Sequence, residues 1–110
     1  MSEIHLIEPT IPGILLGKVV VDNTGKICGI CWAVKIKSGK CFIEVKGEEI
    51  FEIPLDEIEI NENIHVKREI KCKEINSEKI SRLLDELINE ILLNYEFLKM
   101  WQMTKNISNL

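Results

Sequence analysis

At 110 residues and 12.7 kDa, the chain has room for one domain of ordinary size with a short appendage. A hydrophobic share of 45% supports a packed core and excludes intrinsic disorder; the net charge of -4 argues against a nucleic-acid partner, whose phosphates demand a basic face. No run of about 18 apolar residues occurs, so no transmembrane helix is expected. Met1-Ser2-Glu3-Ile4-His5 carries an acid where a signal peptide needs positive charge. The expected location is cytoplasmic, where four cysteines stand as reduced thiols and not as a disulfide framework.

The sequence changes character near Ile75-Asn76. Before this point short apolar runs alternate with Gly, Asn, Asp and Pro; after it there is no Gly or Pro. Residues 1–75 hold 10 Lys+Arg and 13 Asp+Glu, and the remainder 4 and 5, so neither part is a charged tail. The expected organisation is a β-rich domain over 1–75 and a helix over 76–110.

Leu15 to Asp22 reads as a first strand, closed by Asp22-Asn23-Thr24-Gly25, a turn whose Gly25 takes positive φ without a Cβ clash. Lys26 to Lys37 is a second strand. Regular alternation puts Cys28, Ile30, Trp32, Val34 and Ile36 on one face and Cys31, Ala33, Lys35 and Lys37 on the other. Ser38-Gly39 makes a two-residue hairpin turn into a third strand, with Cys41, Ile43 and Val45 inward and Glu44 and Lys46 outward. Gly47-Glu48 turns into Ile50-Phe51-Glu52-Ile53, which Pro54 ends because it has no N–H to donate. Leu55, Ile58 and Ile60 cover the core through an irregular stretch, and Ile64-His65-Val66-Lys67 resumes alternation. The expected fold is mainly β with a C-terminal helix: a small barrel of about six short strands, which closes its own edges, followed by one long amphipathic helix.

Asn76 or Ser77 caps that helix, and Glu78 sits at the positive end of its dipole. Nothing stops it before about Lys105, a span of roughly 43 Å at 1.5 Å per residue. Ile80, Leu84, Leu87, Ile91, Asn94, Leu98 and Trp101 recur at alternating steps of four and three, and Leu83, Ile88, Leu92 and Tyr95 widen the stripe. Part of so wide a stripe lies on the barrel. The rest is expected to meet another helix, making this seam an oligomer interface in a homodimer or larger bundle.

The strand half resembles the PRC-barrel family. The resemblance rests on Gly17-Lys18-Val19-Val20-Val21-Asp22-Asn23-Thr24-Gly25-Lys26-Ile27-Cys28-Gly29-Ile30, then on Ile53-Pro54-Leu55-Asp56-Glu57-Ile58-Glu59-Ile60 leading to Ile64-His65-Val66, and covers roughly residues 13 to 70. It implies structural roles for Gly17, Asp22, Gly25, Gly29 and Pro54 in turns and bulges. It also implies a docking and assembly module, with no catalytic residue and no cofactor. A barrel followed directly by a long helix is most similar to archaeal cell-division adaptors of the CdvA and CdpB type. The alternative within the family is an RNA- or ribosome-associated module of the RimM kind, whose members carry a further domain before the barrel that a chain of 110 residues is too short to hold.

Cys28-Gly29-Ile30-Cys31 has the spacing of half a zinc site or a redox pair, and Cys41, Cys72 or His65 could complete a metal-ligand set. In a regular strand, however, Cys28 and Cys31 face opposite ways, and only a bulge at Gly29 would unite them. The expectation is small buried or half-exposed hydrophobes, with a Cys-based metal or redox regulator as the alternative function. His65 alternates outward on a solvated face, and His5 lies in the leading segment. Asp56, Glu57 and Glu59 read as an acidic solvated face, with contact to a basic partner as the alternative. Lys99-Met100-Trp101-Gln102-Met103 could anchor at a membrane surface, but Trp101 continues the helix seam, which is the preferred reading.

Overall fold

The computed structural model describes residues 15–108, with side chains described except at 97, 98 and 101–108. Six strands precede one helix: β1 Val19–Val21, β2 Ile27–Lys37, β3 Lys40–Lys46, β4 Ile50–Pro54, β5 Ile58–Ile60, β6 Ile64–Val66, and α1 Ser77–Ser108. They form a single sheet in the order β4-β3-β2-β1-β6-β5, antiparallel throughout except for the β1–β6 pair. The outermost strands, β4 and β5, are consecutive in the chain and joined only by a 3-10 turn over Leu55–Glu57. A flat sheet of this order would hold them about 24 Å apart at ~4.8 Å per strand, while the connection reaches only ~14 Å. The sheet therefore curls until its edges approach, as in a small barrel.

Its interior is filled by Leu15, Val20, Cys28, Cys31, Ile43, Val45, Ile53, Ile58, Ile64, Val66 and Ile70. A second cluster lies outside the sheet, where Ile30 and Ile75 meet Leu83 and Leu87 of α1, flanked by Val19, Ile27, Trp32, Ile80 and Leu84. The helix is thus a lid on one outer face of the β-domain.

Several elements depart from the sequence reading. The first strand is only Val19–Val21, because Leu15 begins a helical turn and Gly17 takes φ +83°, with the Lys18 N–H donating to the Leu15 carbonyl at 3.1 Å. The faces of β2 are also reassigned. Against β1, Val20 pairs with Gly29 but Val21 with Ile27, leaving Cys28 as an extra residue. Against β3, Cys31 pairs with Val45 but Ala33 with Glu44, leaving Trp32 extra. These two bulges place Cys28, Cys31 and Val34 toward the interior and Ile30 and Trp32 toward the helix, so that one strand serves two cores. Gly29 is required there: a Cβ at this position would collide with the Lys46 carbonyl, and one at Gly47 would collide with the Cys28 carbonyl.

Two expected core residues are exposed instead. Cys41 sits at the tip of the β2–β3 hairpin, beyond the edge of the core, and Ile60 lies at the end of the outermost strand β5. Pro54 ends β4 at the sheet edge, where its missing N–H breaks no ladder on the outer side. Ile64-His65-Val66 alternates as expected, with His65 outward.

Asp22 organises the path from β6 to the helix. Its Oδ1 accepts from the Thr24 N–H at 2.9 Å, the Thr24 hydroxyl at 2.6 Å and the Lys26 N–H at 3.0 Å, while Oδ2 accepts from the Ile70 N–H at 3.2 Å. Lys26 Nζ reaches the Ile70 carbonyl at 2.6 Å, and the Ile75 N–H donates to the Ile27 carbonyl at 3.1 Å. Burial by itself would raise the Asp22 pKa. The hydrogen bonds from Thr24, Ile70 and Lys26 outweigh it and hold the carboxylate at about 2. A side chain expected to shape one turn also ties down the approach to α1.

Candidate functional site

Helix α1 starts where Asn76 Oδ1 accepts the Lys79 N–H at 2.9 Å, the first of the two cap candidates in the sequence. Its first turns are fastened to the sheet. Leu83 is 1% exposed and Leu87 is buried, with Ile80 and Leu84 packed beside them. Lys46 lies 4.1 Å from the centroid of the Trp32 ring and 3.4 Å from Glu86 Oε2, so one cation bridges the sheet surface and the helix.

Further along, the same stripe loses its cover. Ile88, Ile91, Leu92 and Tyr95 are all exposed; Ile91 is 45% and Leu92 53% accessible. Between the departing helix and β2 opens a groove of about 410 Å³, bordered by Leu16, Trp32 and Val34 on the domain and Leu87, Ile91 and Asn94 on the helix. An isolated helix of this length gains nothing from keeping such side chains in water.

The structure divides the expected seam accordingly. Ile80, Leu84 and Leu87 are used within the chain, Ile91 and Asn94 are exposed at the groove, and the side chains of Leu98 and Trp101 lie outside the described residues. The membrane-anchor alternative centred on Trp101 lies there too, as does His5. Among the described residues, no helix is long and apolar enough to cross a membrane.

The cysteines are placed differently from the sequence reading. The bulge puts Cys28 and Cys31 in the same interior cluster, where a regular strand would have kept them on opposite faces. Burial, reinforced by a hydrogen bond with the Cys72 side chain, pushes the Cys28 thiol up to about 12. Burial likewise pushes Cys31 up to about 11. Both are neutral thiols at physiological pH, poor nucleophiles and poorly prepared metal ligands. Cys41 stands apart on the hairpin tip. Among the described residues no group of three or more His, Cys, Asp or Glu side chains is placed to hold a metal ion. The Cys28–Cys72 contact was not legible in sequence, because it depends on the path that Asp22 imposes on residues 70–75.

Of the acidic trio, Glu57 pairs with Arg68, while Asp56 and Glu59 are exposed. His65 points away from the interior, opposite Glu59 in the β5–β6 register. These side chains form a solvated face. No family model and no curated protein matches the chain.

Proposed function

We propose that this protein is a non-enzymatic assembly adaptor, in which a PRC-like barrel docks another protein and the C-terminal helix brings copies of the chain together. The observation that carries the proposal is the exposed run Ile88, Ile91, Leu92 and Tyr95, continuous with a stripe that is buried one or two turns earlier. Burying such side chains stabilises by about 1.5–3 kcal/mol each, and among the described residues nothing covers them. The curled six-stranded sheet with an appended helix supports the PRC-like reading, since it agrees with the expected architecture. The cellular role offered by the resemblance is cell division in an archaeon, in the cytoplasm, and it belongs to this proposal.

Size-exclusion chromatography with light scattering tests the self-association. The wild type is expected to elute as a dimer or larger species at micromolar concentration, and the Ile91→Asp, Leu92→Asp variant as a monomer with its fold intact. A monomeric wild type, or a variant that associates equally well, overturns the reading.

A further inference from the structure

The exposed stripe carries charges whose spacing specifies how a second copy would lie on it. Asp85, Leu92 and Lys99 are separated by seven residues each, two heptads in all, so they fall on one line along α1, with Ile88 and Tyr95 beside it. All five are exposed. Among the described residues, neither Asp85 nor Lys99 takes part in an ion pair within the chain. They stand about 21 Å apart along the axis, with Leu92 midway.

We infer that α1 pairs with α1 of a second copy in antiparallel orientation about a two-fold axis at Leu92, so that Asp85 of each copy meets Lys99 of the other. This rests on the self-association proposed above and adds its geometry. In this arrangement Leu92 packs on its own symmetry mate, Ile88 faces Tyr95 across the axis on both sides, and the charged residues close the apolar patch at each end. The parallel, in-register alternative sets Asp85 against Asp85 and Lys99 against Lys99, two repulsive contacts in place of two attractive ones. The wider charge distribution points the same way. Residues 77–91 hold four acids and two bases, whereas 92–108 hold one acid and two bases, so opposite halves attract when the helices run oppositely. The antiparallel pair also sends the two β-domains to opposite ends of the assembly, where neither blocks the other.

The test is site-directed cross-linking. Asp85→Cys and Lys99→Cys chains, each also carrying Cys41→Ser to remove the exposed native thiol, are mixed and oxidised with copper–phenanthroline. The antiparallel arrangement gives the mixed 85–99 disulfide and neither symmetric product. Symmetric 85–85 and 99–99 products, or no mixed product from chains that do associate, overturn the orientation while leaving self-association standing. A wild type that remains monomeric overturns both. A charge-swap series gives an independent reading. Asp85→Lys or Lys99→Glu alone should raise the dimer dissociation constant roughly tenfold, since two attractive pairs become repulsive. The double swap should restore it to within about twofold of wild type if the two positions face each other. Failure of the double swap to recover affinity contradicts the pairing.

Discussion

Leu83 and Ile91 lie about two turns apart on the same helix, yet one is 1% and the other 45% exposed. Nothing in their chemistry separates them; the difference is what lies opposite. Leu83 meets Ile30 and Ile75, brought to the outer surface by the bulges of β2 and by the path of the linker, whereas Ile91 borders an open groove. The contrast teaches that a continuous apolar stripe need not have a continuous role. One half of α1 closes the protein's own fold, and the other half is exposed, the half to which the proposal above assigns association.

The same substitution at the two sites should separate these roles most strongly. Leu83→Asp removes a packed side chain and buries a charge, and should cost about 4 kcal/mol in urea unfolding. Ile91→Asp should change the stability of the isolated monomer by no more than about 0.5 kcal/mol while weakening association. Equal effects at both positions would erase the distinction.

The linker that delivers α1 to the sheet depends on Asp22. Its carboxylate lies near 2 in the folded protein against an ordinary 3.8, so the stability it contributes is complete above the ordinary value and is lost as pH falls through the interval between them. A shift of that size corresponds to about 2 kcal/mol. Chemical unfolding between pH 6 and pH 2 should show this loss in the wild type, and Asp22→Asn should remove the Asp22 contribution to the pH slope. An unchanged slope in the variant would mean that Asp22 does not govern the linker.

The smallest effect is kinetic. Cys41 should react with a thiol reagent at once, and Cys28 and Cys31 only on unfolding, since burial keeps them neutral and inaccessible. Rapid native labelling of Cys28 or Cys31 would contradict the placement of both in the interior cluster.

Much of this organisation was legible in the residues themselves. The start of the helix, with Asn76 as one of two cap candidates, the hairpin at Ser38-Gly39 and the alternation of Ile64-His65-Val66 are local signals that the residues carry on their own. The bulges at Cys28 and Trp32 were not. A bulge slips the period of a strand without altering its composition, so the regular pattern misassigned the faces of β2. Cys41 and Ile60 failed for a related reason: alternation says which way a side chain points but not where the core ends. At the candidate site, the width of the helix stripe was visible, but its division between sheet and solvent depends on how far the β-domain reaches along α1, a tertiary length that no local pattern encodes.

Amide hydrogen exchange as a function of protein concentration tests the central claim most directly, because it reads the two halves of α1 in one experiment. Protection across residues 77–87 should be independent of concentration, and protection across 88–100 should rise steeply as the protein passes from nanomolar to tens of micromolar. Concentration-independent exchange over 88–100 would contradict the claim that the exposed half of the helix is an interface between copies.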